Sequence, residues 1–436
     1  MDEATRKKSL GYSIKEGVAW SVSNGLGSAY IAPYAISMKA NNVQIGLLTS
    51  IPNLAANLSE VRAPKLMERT SRKRIVNAGV LLQTVILLPI ALIAPLYLFF
   101  NIGSMAAILV IAFYTIYLML GAFINPAWAS WVGDIVPEKE RGRFFSKRAT
   151  FLGMAGIMAM LSGGVFLNFL RPDQALYGFV ALFLLAALAR FFSWYLLRKQ
   201  YEPKFKYRDE YYFSFSSFVR KMSGNNFGRF TIYVTLITFA LSLASPFFAV
   251  YMLKELKFGY LEYVSVVLSA SVAEVLSMRA WGKFSDRYGN LRALRICGML
   301  VPVLPVLWLF SASPLYLMAI EALSGVIWGG FNLSSTNFIY DAVTKQRRGI
   351  CFSYFGALNG VGIFLGATLG GLIANYVSVG FMSILLFLFL ISGISRLVVS
   401  LVMLPRIKEV REVEEPKPLK YYMGGLIRKR LPLHPH

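Results

Sequence analysis

Charge is scarce in this chain of 436 residues, with Asp, Glu, Lys and Arg together making up 15%, against about a quarter in ordinary soluble domains. Apolar side chains account for 56%, and the mean hydropathy is +0.55. A chain this long and this apolar is not a soluble globule and belongs in a bilayer. Cysteine is nearly absent, with Cys297 and Cys351 alone, which excludes a disulfide framework and a cysteine-based metal spacing. The two histidines, His434 and His436, sit in the tail, so the apolar body has none for acid–base or metal chemistry. No Gly-Lys-Ser/Thr phosphate loop occurs, which argues against an ATP-driven pump formed by this chain alone. These absences together speak against an enzyme and against a metal or cofactor.

What is present is a series of apolar runs about 20 residues long, the length that crosses about 30 Å of hydrocarbon. Twelve occur, at 16–38, 43–63, 75–98, 104–133, 145–170, 174–198, 229–253, 259–281, 291–311, 314–340, 351–376 and 378–404. They predict an all-α membrane protein of twelve transmembrane helices, numbered here as spans 1 to 12. Span 1 lacks a small-residue cleavage site and reads as a retained helix. The net charge of +23 would suit nucleic acid only if it were gathered on one soluble surface. Instead the bases fall in the terminal and alternate loops, among them Arg62, Arg69, Arg72, Lys73, Arg74, Arg141, Arg148, Arg287, Arg347 and Arg348, while the opposite loops hold only Lys39, Arg171, Lys254 and Lys257. By the positive-inside rule both termini are cytoplasmic, in a multi-pass protein of the cell membrane, and the bases set topology rather than nucleic-acid affinity. Arg190, Arg279 and Arg396 read as snorkelling side chains near the cytoplasmic interface.

The chain repeats itself. Asn125, Asp134 and Arg141-Gly142 recur 207 residues later as Asn332, Asp341 and Arg348-Gly349, each set ending an apolar run at a basic loop. Pro33 in span 1 is matched by Pro246 in span 7, where a missing backbone donor permits a kink. The loop after span 8 carries Gly282, Asp286, Arg287, Gly289 and Arg292, and the loop after span 2 carries Glu68, Arg69, Ser71, Arg72 and Lys73. The organisation predicted is an N-terminal half at 1–198, an interfacial linker at 199–228, a C-terminal half at 229–404 and a tail at 405–436. Tyr201, Phe205, Tyr207, Tyr211, Tyr212, Phe213, Phe215 and Phe218 place the linker among lipid headgroups, and the tail reads as a short charged helix running to Glu415, followed by a basic end at Arg428–Arg430.

With these features the chain resembles the major facilitator superfamily, whose members have two six-helix halves and a Gly-x-x-x-Asp-Arg-x-Gly signature between helices 2 and 3, often echoed between 8 and 9. Here the echo keeps Gly282, Asp286, Arg287 and Gly289, and the first copy keeps only the charges. The resemblance implies a latch at the cytoplasmic rim in which Glu68, Arg69, Asp286 and Arg287 stabilise one end state. Asp134 with Arg141 and Asp341 with Arg348 are expected to complete two related latches. It also implies a central cavity lined by spans 1, 4, 7 and 10.

On span 10, Glu321, Trp328, Asn332 and Ser335 fall at helical spacing on one face, and on span 4 so do Tyr114, Gly121, Asn125 and Trp128, with Tyr117 beside them. Nine residues at about 100° each turn Asn125 half a revolution away from Asp134, so the Asn can face a cavity while the Asp faces a neighbouring helix. Asn24 on span 1 joins the candidate solute ligands, and for all three Asn residues an interhelical bond is the competing role. Intramembrane acids mark ion pathways by default, which makes Glu274 and Glu321 the expected proton carriers.

Two departures weigh on direction. Span 4 has no Arg between Ser104 and Asn125, and spans 5 and 11 hold Gly153, Gly156, Gly163, Gly164, Gly362, Gly366, Gly370 and Gly371 but no Gly-Pro pair, features usual in proton-driven drug exporters. The expectation is a monomeric secondary transporter of a small-molecule substrate, using protons and leaning towards efflux of a neutral or amphipathic compound. Uptake of a sugar-like nutrient and a non-transporting receptor are the alternatives.

Overall fold

A computed structural model describes residues 3–137, 140–203, 214–344 and 347–411. Most of the expected linker aromatics, from Phe205 to Phe213, lie outside the described residues, as do the expected tail helix beyond Arg411, the basic end and both histidines. The described residues are helical and contain no strand.

Among the described residues ten helices are long and apolar enough to cross a membrane, from Arg72–Phe100 to Ile384–Arg406. Span 1, which runs as Glu3–Leu26, a 3-10 turn at Ser28–Tyr30 and Ile31–Ser37, and span 2, Asn42–Glu60, are not among those ten but pack along them. Polarity explains this. Span 1 carries Lys15, Glu16 and Asn24 and span 2 carries Gln44, Asn53 and Asn57, as suits helices that face another helix bundle rather than lipid alone.

Several helix starts are written in short-range chemistry. Asn41 and Gln44 form a reciprocal capping box at the head of span 2, at 2.8 and 3.0 Å. Asn225 caps span 7 by accepting from the Gly228 amide at 2.7 Å. Span 12 begins at Ile384, six residues later than the apolar run suggested, because the Ser383 hydroxyl accepts from the Leu385 amide and fixes the start there. Span 8 continues as one helix over Tyr260–Tyr288, so Gly282, Asp286 and Arg287 lie on its last turns rather than in a loop. Gly289 alone makes the turn into span 9, at φ 92° and ψ 154°, which a side chain would strain. The first copy has Ser71 there, at φ −61°, and uses it instead as the N-cap of span 3.

The expected proline breaks are present. Span 1 is interrupted at Gly27–Tyr30, and span 7 turns between Ser242 and Phe247 before ending in a π-helical segment, Tyr251–Glu255. Span 9 breaks between Leu300 and Val303, at Pro302. Pro302 and Pro305 leave the carbonyls four residues earlier, on Gly298 and Val301, without a helical donor. Span 12 supplies both, Ser400 Oγ to Gly298 at 2.7 Å and Arg396 Nη1 to Val301 at 3.3 Å.

Within the N-terminal half span 1 packs on spans 5 and 6, and span 3 on spans 4 and 6. In the C-terminal half span 7 packs on spans 11 and 12, and span 8 on span 10. The halves meet where span 2 lies on span 11 and span 5 on span 8. Small residues allow the first contact: a Cβ on Gly371 would stand 3.1 Å from the Asn42 carbonyl. Asn42 Nδ2 donates to the Ala374 carbonyl at 2.9 Å, Thr368 bonds Ser50 at 3.1 Å, and Lys254 Nζ reaches the Ala40 carbonyl at 2.7 Å. These last bonds lie towards the face opposite Glu3 and Arg411, called here the far face; the other is the basic face. One buried core near the far face draws on both halves, including Tyr34 and Ile90 from one and Phe247 and Val264 from the other. Towards the basic face the core divides into a C-terminal cluster around Phe230 and Phe338 and an N-terminal one around Val76 and Trp131.

Candidate functional site

The N-terminal half contains a pocket of about 150 Å³, lined by Glu16 and Trp20 of span 1, Val76 and Val80 of span 3, Ile124, Asn125 and Trp128 of span 4, Arg148 of span 5 and Arg190 and Leu197 of span 6. Glu16 is its hub. The carboxylate, on a residue only 3% exposed, accepts from Arg148 Nη2 at 2.9 Å and from the Trp128 indole at 3.1 Å, and its second oxygen takes the Ser193 hydroxyl at 3.4 Å. The Arg148 guanidinium also lies over the Trp128 ring, 4.1 Å from its centroid. Arg190, also 3% exposed, donates from Nε to the Gln83 amide oxygen at 3.1 Å and from Nη2 to the same oxygen. Gln83 in turn donates to the Tyr117 carbonyl at 2.8 Å, tying span 6 to spans 3 and 4.

Arg190 and Arg396 therefore do not snorkel. A guanidinium can stay in the interior when an acceptor waits for it there, and these two sit on spans 6 and 12 as counterparts. Arg190 uses a side-chain amide on span 3, whereas Arg396 uses the proline-freed carbonyl on span 9, leaving its buried Nε and Nη2 unpartnered. Glu321 of span 10 faces both Arg396 and the Trp308 indole. Arg279, by contrast, is exposed.

Of the expected solute ligands, Asn24 and Asn125 are exposed on their helices, Trp128 is half-buried against Glu16, and Tyr114 stacks on the buried Tyr117 with ring centroids 6.1 Å apart. In the other half Asn332 is exposed and its Nδ2 lies 3.5 Å from Glu274 Oε1, which brings together a candidate ligand and a candidate proton carrier; Trp328 packs edge-on against Phe331 at 5.2 Å. Trp20, 38% exposed at the pocket mouth, belongs with them.

At the basic face the repeated spacing has a different wiring from the expected Asp-to-Arg latch. Asp134 is bound by Arg72 at 2.6 Å, and Asp341 by Asn290 Nδ2 at 2.6 Å, with Arg411 at 4.0 Å. Arg72 and Asn290 are themselves a corresponding pair, 218 residues apart like Glu68 and Asp286. Arg141 and Arg348 instead donate to the carbonyls eight residues back, Gly133 at 3.1 Å and Tyr340 at 2.7 Å, where the preceding span ends with unpaired acceptors. Glu68, Arg69, Asp286 and Arg287 are exposed, and Arg287 stacks over Tyr288 with 5.2 Å to the ring centroid.

Sequence reasoning missed Glu16, Trp20, Arg148 and Gln83 as site residues. The available signal was Glu16, the one acid in the apolar run at 16–38.

The family model of the Major Facilitator Superfamily matches residues 17–301 and 230–433. Among solved structures, a point mutant of the nucleoside transporter NupG superposes with a TM-score of 0.72 at 15% identity, covering 93% of this chain and all of that one. A bacterial homologue of the iron transporter ferroportin in an inward-facing state gives 0.68 at 14% identity, covering 93% and 99%. The xylose transporter XylE from E. coli, in an inward-open conformation, gives 0.65 at 13%, covering 92% and 96%. At these identities the likeness establishes the fold alone. A comparison with curated protein sequences finds no match.

Proposed function

The chain belongs to the Major Facilitator Superfamily and is a multi-pass membrane transporter rather than an enzyme, and from that premise we propose that it moves a small organic solute by alternating access, coupled to protons. The observation that carries this reading is the uneven division of the core. The halves are welded at the far face and keep separate cores towards the basic face, with Asn24, Asn125 and Asn332 exposed on spans 1, 4 and 10. That is the form expected of one end state of a two-state cycle. The positive-inside rule supports reading the basic face as cytoplasmic, and we assign the protein to the cell membrane. The two inward-facing relatives support reading the present conformation in the same sense.

Glu16 is the first choice for proton coupling, since its partners come from three other spans and a change in its charge would alter the bonds of Arg148, Trp128 and Ser193 together. Glu274, beside Asn332, and Glu321 are the candidates in the C-terminal half. The aromatic lining by Trp20 and Trp128 suits an amphipathic compound gathered from the cytoplasmic side, and the direction we assign is efflux.

Purified protein in liposomes, screened for flux of solutes that raise its melting temperature, tests the proposal with and without an imposed pH gradient. Gradient-driven accumulation should fail in Glu16→Gln while solute exchange persists. Accumulation indifferent to the gradient, or unchanged in Glu16→Gln, Glu274→Gln and Glu321→Gln, refutes proton coupling. Ligands that bind but never cross refute transport.

A further inference from the structure

We propose that the Glu16 pocket seats an anionic group of the solute, a carboxylate or a phosphate, against Arg190; this rests on the transport reading and names the chemistry of its substrate. The argument is one of charge. The pocket is lined by two cations, Arg148 and Arg190, and one acid, Glu16. Arg148 is neutralised by Glu16 at 2.9 Å. Among the described residues, the acceptors bonded by Arg190 are the neutral Gln83 amide oxygen and the Ser193 hydroxyl, the latter at 3.5 Å. Ser193 donates to Glu16 at 3.4 Å and so stands between the two, and the carboxylate that pairs with Arg148 acts on Arg190 through space without an ion pair of its own.

Of the other arginines buried to a similar degree, Arg72 has Asp134 at 2.6 Å, and Arg396 is held on the Val301 carbonyl of span 9 at 3.3 Å. A buried guanidinium that shares its one nearby acid with a second arginine is only partly compensated, and its planar fork matches a carboxylate or phosphate bidentately. A cationic solute would meet two like charges for one opposite. A neutral one would leave the imbalance in place.

Size sets which part of the solute enters. About 150 Å³ holds a head group rather than a drug-sized molecule, for which pockets of about 300–1,000 Å³ are usual. The body of the solute would lie outwards along Trp20, with Asn125 at the rim as a further donor. The class is therefore an amphipathic organic anion, a compact acid on an apolar or planar frame.

Matched pairs test this directly: benzoate against benzamide, nicotinate against nicotinamide, indole-3-acetate against indole-3-acetamide, and phenyl phosphate against phenol, each at 10 mM and equal ionic strength with detergent-purified protein. At least one anion should raise the melting temperature by several degrees where its neutral partner does not. Arg190→Gln should abolish that shift, and Arg190→Lys should retain part of it. Equal shifts from neutral partners, an anion shift that survives Arg190→Gln, or no shift from any anion overturns the proposal. Should Arg190→Gln fail to fold, tryptophan emission provides the second reading: the anion alone should change it in the native protein, less so in Trp20→Phe, and an equal change in both proteins also overturns the assignment. Anion binding without liposome flux would sink the transport reading and leave this one standing. Flux of a neutral solute that persists in Arg190→Lys and is not competed by anions would do the reverse.

Discussion

The two Asp residues of the repeat offer an internal comparison, because Asp134→Asn and Asp341→Asn are the same isosteric change in corresponding places. Asp134 meets a charged partner: the Arg72 side chain is fully buried and also bonds the Ser130 carbonyl and hydroxyl, each at 3.0 Å. Asp341 meets a neutral one, Asn290, plus Arg411 at 4.0 Å in a pair whose side chains are 42% and 23% exposed. An amide oxygen at position 134 or 341 can still accept the bond, so what each substitution removes is mainly charge. Removing one partner of a fully buried pair costs about 3–5 kcal/mol. Asp134 is 47% exposed, so water screens it and the expected loss falls to about 2 kcal/mol, the scale of a hydrogen bond to a charged group. At Asp341 the charge removed faces a neutral amide donor and a solvent-exposed Arg411, and the loss is about 0.5 kcal/mol.

For halves of about 200 residues these costs correspond to a fall in melting temperature of about 4–8 °C for Asp134→Asn and about 1–2 °C for Asp341→Asn. Differential scanning fluorimetry in detergent resolves that difference. High salt should leave the first effect largely intact, since Arg72 is shielded from solvent. Equal falls in the two variants, or a larger one at Asp341, would show that the charge of Arg72 is not what distinguishes the sites.

The break in span 9 and the turn before it give two further tests. Ser400→Ala should cost about 1 kcal/mol by orphaning the Gly298 carbonyl that Pro302 frees, and the loss should shrink in a Pro302→Ala background, where residue 302 regains its amide; strictly additive melting temperatures would refute the assignment. Gly289→Ala should cost about 1–3 kcal/mol for its positive φ, whereas Ser71→Ala should lose only an N-cap, about 1 kcal/mol. Thermal unfolding that ranks them the other way would mean the two turns are not built as described.

Much of the scaffold could be read from local and periodic signals. Apolar runs gave the spans, prolines marked the breaks in spans 1 and 7, and the half-turn between Asn125 and Asp134 put the Asn on an exposed face while the Asp was taken by a neighbouring helix. What could not be read was pairing across distance. Glu16 finds Arg148 at 132 residues' separation and Ser193 at 177, and nothing local distinguishes Arg148 from the bases that set topology. Arg72 was counted among those bases for the same reason. Arg190 and Arg396 looked like snorkelling residues because a sequence gives depth in the span but not the acceptors waiting there, an amide on span 3 in one case and a proline-freed carbonyl in the other.

The matching places of the two halves also show where duplication has given way to specialisation. At the rim the N-terminal half keeps a charge, Arg72, where the C-terminal half has Asn290. In the interior its Arg190 is served by a side chain, where Arg396 is served by backbone. A backbone carbonyl freed by Pro305 is part of the helix and gives way only if span 9 moves. The Gln83 amide belongs to a rotatable side chain and can yield its partner without any helix shifting. An arginine whose neutral partner is replaceable is better suited to accept a solute's negative group than one that holds a broken helix together. This asymmetry favours the N-terminal pocket as the proposed seat of the solute, and leaves Arg396 tying the broken span 9 to span 12.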